Sequence, residues 1–299
     1  MENKIKRKAA LHPNNEHQAG YNLNDLCLIY PELEAFVVIN KYGNQSIDFA
    51  NPNAVKALNK ALLFKYYHVK FWDFSDVNLC PPVPGRADYI HYLNDLVNEG
   101  KQQKNIKVLD IGTGATCIYP LLGNAIYNWS FVATDIDKTS LKNAQNIIDK
   151  NDLGPVIKLR YQENSQQILK GIIKSSDAFT VSMCNPPFYK DEAEANVATL
   201  RKLKGLKASE KNELVRNFSG TTNELIYKGG EKAFLHNYIY QSSLFKNHCI
   251  WFTSLVSKKE LIKDLNTSLT KLGAVKIKVI NMGQGQKISR ILAWTFINE

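Results

Sequence analysis

The chain has 299 residues and a formal net charge of +10. This length is enough for one sizeable domain, and the charge favours an anionic partner, although basic proteins also meet membranes or simply stay soluble. Five cysteines without a Cys-x-x-Cys pair and six histidines without metal-ligand spacing predict a protein of the reducing cytoplasm that binds no metal. Because no apolar run approaches the roughly 18 residues that span a bilayer, we expect no membrane partner.

Residues 1–20 form a polar, basic and proline-containing segment that we expect to be flexible when no partner is bound. A short basic arm at its start comprises Lys4, Lys6, Arg7 and Lys8. Such an arm contacts RNA in some proteins and merely increases solubility in others, and both interpretations stay open. His12 and His17 lie in the same polar leader, so we expect both at the surface.

Residues 21–100 are predicted to form a mainly helical extension. Apolar residues recur here at helical spacing, and Asn51-Pro52-Asn53 is typical of a helix start, because Asn is a favoured N-cap and proline suits the first turn. Aromatic residues crowd the stretch from 64 to 74. We expect them to pack this extension against the domain that follows.

Residues 101–299 alternate between strand and helix patterns, which predicts an α/β domain with a parallel sheet and helices on both faces. We place seven strands near residues 106–111, 130–135, 155–161, 178–184, 248–256, 274–281 and 290–297. Only a short glycine-containing link joins the last two strands. Since a parallel crossover needs about a dozen residues, the last strand should run antiparallel.

A glycine-rich turn follows the first of these strands, at Gly112 and Gly114. Glycines there let the backbone approach a ligand closely, and Asp135 stands about where doubly wound folds bind ribose hydroxyls. Cys117 occupies the third glycine position of Gly-x-Gly-x-x-Gly, which counts against a dinucleotide-binding fold. Asp110, on the strand itself, suits a ligand with an amino group, which it would reach through backbone donors or water. Capping the turn is its alternative role.

The strand near residues 178–184 runs into the turn Asn185-Pro186-Pro187-Phe188. Two successive prolines fix φ and remove two backbone donors, so nearby carbonyl groups stay free to accept hydrogen bonds. The Asn185 side chain adds an acceptor and Phe188 adds a ring for stacking, which together suit the flat amine of a nucleobase. The alternative is a plain strand-ending turn, because Asn and Pro are common turn residues.

A long polar stretch follows, from residue 189 to about residue 229. Insertions of this length in compact domains tend to be functional or disordered, and its place beside the turn favours a mobile, RNA-facing cover. The RNA contacts predicted in it are Arg201, Lys202 and Lys204. A solvated helix would carry the same charges. Glu231, in the helix that starts at residues 229–230, is interpreted as complementing the helix dipole.

The glycine-rich turn and the Asn185–Phe188 motif together resemble S-adenosylmethionine-dependent methyltransferases of the adenine-N6 type, whose fold is the Rossmann-like class I arrangement of seven strands with one reversed. Further motifs look like the bacterial large-subunit (23S) ribosomal RNA adenine-N6 methyltransferase F family, which is related to a eukaryotic methyltransferase acting on small nuclear RNA. These motifs occupy residues 79–86, 110–122, 184–188, 229–231, 283–286 and 294–296. The resemblance runs from about residue 11 to the C-terminus.

This resemblance implies S-adenosylmethionine as the cofactor and ribosomal RNA as the partner. It implies direct transfer of the methyl group to N6 of a flipped adenine. The residues that would hold the adenine are Asn185, Pro186, Pro187 and Phe188. The resemblance also places Arg86 and Thr116 near the methionine carboxylate of the cofactor, and Asn164 or Ser165 near its adenine side. No chemical role follows for residues 283–290.

Other interpretations remain open. An enzyme of the same fold could act on another structured RNA, on DNA adenine or on a protein glutamine, since a Pro-Pro turn can cradle any planar amide or amine. A non-catalytic RNA-binding assembly factor could retain the fold as well. The sequence identifies neither the modified adenine nor the form of the substrate, which is free rRNA or a large-subunit assembly intermediate. We expect a monomer.

Overall fold

The computed structural model describes residues 11–197, 222–284 and 287–298. Its first elements are α1 (Leu23–Ile29), a 3-10 helix (Pro31–Phe36), the hairpin of β1 (Val37–Ile39) and β2 (Gln45–Ile47), α2 (Pro52–Tyr67) and α3 (Val83–Val97). The predicted start of α2 is confirmed, because the Asn51 side chain accepts hydrogen bonds from the Asn53 and Ala54 amides. The hairpin was not predicted, since strands of three residues offer too little alternation to detect.

Residues 11–20 pack against the helices instead of forming a flexible leader. His12 Nε2 lies 2.8 Å from an Asp95 carboxylate oxygen, and His17 Nε2 lies 2.8 Å from the Tyr67 hydroxyl oxygen. Both histidines are buried. Their expected surface position is therefore wrong. The hydrogen-bond partners come from α2 and α3, more than 45 residues along the chain, where local sequence gives no sign of them.

A seven-stranded sheet forms the centre of the remaining chain. Its strands are β3 (Lys107–Ile111), β4 (Ser130–Asp135), β5 (Ile157–Tyr161), β6 (Phe179–Cys184), β7 (Cys249–Val256), β8 (Lys276–Gln284) and β9 (Lys287–Thr295). α4 (Ile118–Tyr127) connects β3 to β4, and α5 (Lys138–Lys150) connects β4 to β5. These three strands are parallel, as helical crossovers require.

The strand order is β5-β4-β3-β6-β7-β9-β8, and β9 runs antiparallel to both of its neighbours. All seven predicted strands are present, and the predicted reversal of the last one is confirmed. Winding starts at β3 and passes through β4 to β5 on one side, then returns to β6 and β7 on the other. The order therefore reverses between β3 and β6.

The long insertion separates β6 from β7, and the structure describes only its two ends. Its last residues include α6 (Thr222–Leu225), after which come α7 (Gly230–Leu244) and, between β7 and β8, α8 (Leu261–Lys271). Outside the described residues lie the predicted RNA contacts Lys4, Lys6, Arg7, Lys8, Arg201, Lys202 and Lys204. Glu231 does more than face the helix dipole. It is buried and accepts hydrogen bonds from the Ser257 amide and hydroxyl, which ties α7 to the end of β7.

Successive strand residues face two apolar layers, as the pleat requires. Val108 belongs to a layer built with the N-terminal helices, α4 and α5, whereas Leu109 belongs to a layer built with residues 168–173, α7 and α8. The N-terminal helices therefore cover one face of the sheet and share its core. Their packing places the segment before α3 beside the carboxyl ends of the strands.

Candidate active site

A cavity of about 1070 Å³, counted with its opening to solvent, lies at the carboxyl ends of β3, β4 and β6. Its walls include Ile111 from β3, Thr134 from β4 and Cys184 from β6. Strand order reverses at this point, and open α/β sheets bind ligands in the crevice at such a switch point. The topology of the sheet thus places the candidate site here.

The turn after β3 forms one wall of the cavity. Gly112 and Gly114 have φ values of 75° and 65°, a region that residues with a Cβ rarely adopt. The Gly112 and Thr113 amides both donate to the Thr134 carbonyl at 2.9 Å, which fixes the turn to the end of β4. Cys117 also has a positive φ, of 50°. The left-handed conformation therefore persists at the third position of the motif although the glycine does not.

Asp135 ends β4 and borders the cavity. Its two carboxylate oxygens accept hydrogen bonds from the Gly114 amide at 2.8 Å and from the Asp137 amide at 2.9 Å. Burial is the main reason that its pKa is raised. Each carboxylate oxygen has a second acceptor site, so the residue can still receive hydroxyl groups of a ligand.

Asp110 is completely buried within β3, behind the glycine turn, and does not border the cavity. Burial raises the pKa of its carboxyl group to about 7. The Thr113 hydroxyl is close enough to oppose this rise in pKa, but within the described ranges it forms no hydrogen bond of good geometry with either carboxylate oxygen. A buried carboxyl group in this position is costly unless a ligand or water satisfies it. From this position the Asp110 carboxyl group can act on a ligand in the cavity through backbone donors or water, but not by direct contact.

Arg86, in the first half of α3, extends into the cavity. One terminal nitrogen donates to the Tyr119 hydroxyl at 2.6 Å, and the guanidinium carbon lies 5.4 Å from the centre of the Tyr119 ring. Among the described residues, the buried Arg86 Nε has no partner. The guanidinium is therefore oriented by an aromatic neighbour and retains donors for a carboxylate.

The Asn185–Phe188 turn leaves β6 beside the glycine turn, because Ile111 pairs with Cys184 at the ends of their strands. Asn185 and Pro187 border the cavity. In residues 11–197, 222–284 and 287–298, no protein group forms a hydrogen bond with the Asn185 side chain. Its amide is therefore available to a ligand in the cavity.

The end of the insertion supplies a further wall, through residues that were not predicted individually. Glu224, Ile226 and Tyr227 border the cavity. The Tyr189 amide donates to the Leu225 carbonyl and the Tyr227 amide donates to the Tyr189 carbonyl, both at 3.0 Å. Residues 224–227 therefore lie beside the residue that follows the Asn185–Phe188 turn. Only backbone pairing across the insertion brings them there, and no motif signals it.

The structure brings together most of the residues that the sequence predicted for the site. Those that border the cavity are Arg86, Gly112, Gly114, Thr116, Asp135, Ser165, Asn185 and Pro187. Asn164, Pro186 and Phe188 are not among the lining residues. Asn164 is exposed and accepts a hydrogen bond from the Gln166 amide, so its side chain serves its own turn.

The cavity suits a ligand that carries a carboxylate together with cationic or hydroxyl groups. Arg86 offers the positive charge, whereas Asp135 offers a negative one. Across the described ranges, no three His, Cys, Asp or Glu side chains are grouped as ligands for a metal ion. The helices in those ranges are all too short or too polar to cross a membrane.

Comparison with known proteins extends over nearly the whole chain. A family model of RNA methyltransferases matches residues 5–298. The Ribosomal RNA large subunit methyltransferase F of Flavobacterium johnsoniae is 50% identical over 98% of this chain and 95% of its own length. The human Mettl16 catalytic domain, solved in complex with a MAT2A 3'UTR hairpin, is 30% identical with a TM-score of 0.82, covering 97% of this chain and 96% of that chain. The N-terminal domain of human METTL16 in complex with SAH is 28% identical with a TM-score of 0.77, covering 97% and 100%.

Proposed function

This chain belongs to the family of RNA methyltransferases, and we propose that it transfers the methyl group of S-adenosylmethionine to N6 of an adenine in large-subunit ribosomal RNA. The observation that carries the proposal is the position of Asn185. Its side-chain amide, which no described protein group engages, borders the same cavity as the glycine turn and Arg86. An acceptor for an amine thus stands next to a site for a charged cofactor.

The cofactor side of the cavity fits S-adenosylmethionine. When bound, that molecule supplies an electrophilic methyl group on a sulfonium sulfur. Arg86 would pair with the methionine carboxylate, and Asp135 would accept hydrogen bonds from the ribose hydroxyls. Thr116 and Ser165 also border the space. The buried carboxyl group of Asp110, which has no hydrogen bond of good geometry in the described residues, would gain one through water at the amino group, which fits a ligand of this kind.

The Asn185–Phe188 turn would hold the acceptor adenine. The Asn185 side-chain oxygen and the Pro186 carbonyl can accept hydrogen bonds from the two N6 hydrogens, and Phe188 can stack on the base. Because the N6 lone pair is delocalised into the ring, these bonds favour the pyramidal nitrogen of the transition state over the flat ground state. The turn also orients the nitrogen. No strong general base is needed, since the proton can leave once the nitrogen is cationic.

We extend the proposal to the way in which RNA is bound. The predicted contacts are the basic residues outside the described ranges, namely Lys4, Lys6, Arg7, Lys8, Arg201, Lys202 and Lys204. Such phosphate contacts make affinity depend steeply on salt. We propose that the protein acts as a cytoplasmic monomer on rRNA or on a large-subunit assembly intermediate. The division into residues 1–20, 21–100 and 101–299, with the insertion at about 189–229, also remains a prediction, except that residues 11–20 pack against the helices.

The test is transfer of labelled methyl from S-adenosylmethionine to RNA from cells that lack this activity, followed by nucleoside analysis. Deproteinised rRNA, large-subunit assembly intermediates, DNA and a glutamine-containing peptide should be offered in parallel. We expect N6-methyladenosine in large-subunit rRNA, in one of its two forms. If the labelled methyl group appeared only in DNA or in the peptide, that molecule and not rRNA would be the substrate. A protein that binds the cofactor but labels nothing would overturn the proposal.

A further inference from the structure

The Glu224 side chain joins two walls of the cavity that are 145 residues apart in the sequence. One carboxylate oxygen accepts a hydrogen bond from the Asn78 side-chain amide and the other from the Leu79 backbone amide, each at 3.3 Å. Leu79 and Glu224 both border the cavity. Glu224 therefore connects the segment before α3 to the end of the insertion.

The same carboxylate faces the glycine turn. Its Oε1 lies 3.8 Å from the position that a Cβ on Gly114 would occupy. Burial is the first cause of the raised pKa of Asp135, and the charge of Glu224 adds to it. The Glu224 carboxylate thus connects the segment at Leu79 to the turn on which the cofactor would rest.

Beyond Glu224 the chain reaches the acceptor side of the cavity. Leu225 and Tyr227 pair through their backbones with Tyr189, which directly follows the Asn185–Phe188 turn. One short segment, residues 224–227, therefore contacts the cofactor side and the acceptor side at once. A change at Glu224 is transmitted to Leu79 by hydrogen bonds, whereas the pairing with Tyr189 does not depend on its side chain.

We propose that Glu224 is a positioning residue for cofactor binding, which retains S-adenosylmethionine by holding the Asn78–Leu79 wall against the glycine turn. The inference rests on the proposed function for the identity of the cofactor. The stretch from residue 68 to residue 82 contains no helix or strand, so the Leu79 amide depends on side-chain partners such as this one. Without the carboxylate this wall loosens, and the cofactor leaves sooner while the chemistry at Asn185 proceeds as before.

The test is calorimetric titration of S-adenosylmethionine into the full chain. Glu224→Ala should weaken cofactor binding by about tenfold, because the hydrogen bonds from Asn78 and Leu79 are lost, and Glu224→Gln by about threefold, because the amide keeps one acceptor for them. The KM for cofactor should rise in parallel, with kcat at saturating cofactor within about twofold of the wild type. If Glu224 served stability alone, its substitution would lower the melting temperature without raising KM selectively over kcat.

Two further variants control the experiment. Glu194 lies at the other end of the insertion, accepts a hydrogen bond from the Lys190 amide and does not border the cavity, so Glu194→Ala should bind cofactor normally. Asn78→Ala should weaken binding by about threefold and add little in combination with Glu224→Ala, because both changes remove the same contact. The Asn78 variant also tests the contact if Glu224→Ala fails to fold.

The outcomes separate this inference from the proposed function. A wild-type affinity in Glu224→Ala, or an equal loss in Glu194→Ala, would overturn the role of Glu224 alone. Full additivity of the Asn78 and Glu224 effects would overturn it as well. If the wild-type chain itself does not bind S-adenosylmethionine, the proposed function fails and this inference fails with it.

Discussion

The cofactor side and the acceptor side of the cavity are built in different ways. On the cofactor side, amides of the glycine turn donate to the Thr134 carbonyl and to the Asp135 carboxylate at the end of β4. On the acceptor side, two prolines stiffen the Asn185–Phe188 turn itself, which has backbone pairing only at its ends, between Cys184 and Ile111 before it and between Tyr189 and residues 225 and 227 after it. The sheet therefore anchors both sides, but its hydrogen bonds reach into the turn on the cofactor side, whereas proline stiffness and residues 225–227 shape the turn on the acceptor side.

The largest effect should come from breaking the acceptor side alone. Asn185→Ala should lower methyl transfer to RNA by about 100-fold to 1,000-fold, because the amine loses an acceptor needed in the transition state. The dissociation constant of S-adenosylmethionine should change by less than about twofold. Asn146→Ala, at an exposed position of α5, serves as the matched control. If cofactor binding is lost together with activity, the turn serves the cofactor side.

The buried carboxyl group of Asp110 should make the stability of the cofactor side depend on pH. Its folded-state pKa of about 7 lies above the ordinary value of 3.8, so the folded chain holds a proton that the unfolded chain has lost. The free energy of unfolding should therefore fall as pH rises between these values. This contribution amounts to about 1.4 kcal/mol per pH unit, or roughly 3 kcal/mol between about pH 5 and pH 7.

Asp110→Asn should remove this dependence, because an amide does not titrate. Denaturant unfolding without cofactor, at intervals from about pH 5 to pH 8, would measure it. As pH rises to about 7, the free energy of unfolding of the variant should increase relative to that of the wild type. Above about pH 7 the difference between the two proteins should stay constant. Parallel curves for the two proteins throughout would contradict the raised pKa of Asp110.

A smaller effect is expected at Arg86, which acts by charge and not by backbone shape. Arg86→Ala should weaken S-adenosylmethionine binding by about 30-fold, or about 2 kcal/mol, because a charge-assisted pair with the carboxylate is lost. The affinity of Arg86→Lys for S-adenosylmethionine should lie between those of the wild type and Arg86→Ala, since an ammonium keeps the charge but not the fork of donors. Titration calorimetry of S-adenosylmethionine into both variants would measure these affinities. Equal affinities for alanine and wild type would remove Arg86 from the site.

The smallest effect tests the backbone of the glycine turn. Gly112→Ala should weaken cofactor binding by about fivefold, because an alanine at a φ of 75° is strained by about 1 kcal/mol. Gly154 is the matched control, since it has no positive φ and open space where a Cβ would stand. Gly154→Ala should leave both affinity and melting temperature unchanged. An equal response of the two glycines would show that the left-handed conformation is unimportant.

The sheet could be predicted because its strands are short apolar runs that are clearly bounded by turn and loop residues. The antiparallel direction of β9 followed from the length of the link before it, which is a purely geometric constraint. The hairpin of β1 and β2 and the burial of His12 escaped prediction. The strands of the hairpin are too short to show a pattern, and Asp95, the partner of His12, is distant in sequence.

The site was predictable where its residues sit on strand ends and was missed elsewhere. Gly112, Asp135 and Asn185 each follow a recognisable strand, so topology alone brings them together. Tyr119 reaches the cavity from α4, and Glu224 reaches it from beyond a long insertion. Glu224 lies in no motif and Tyr119 had no predicted role within the motif at residues 110–122, because both contributions depend on tertiary packing. Asn164 shows the reverse, since it follows β5 and was predicted to meet the cofactor, yet it does not border the cavity and accepts a hydrogen bond within its own turn.

The position of β9 between β7 and β8 constrains how the chain can fold during its synthesis. β8 emerges from the ribosome first, yet it joins the sheet only through β9. Until residues 287–295 have been made, the edge of β7 stays open, and an open edge can pair with another nascent chain. The hairpin of β8 and β9 can form locally and then add to β7 as a unit. Completion of the sheet must therefore wait for the last strand to leave the exit tunnel.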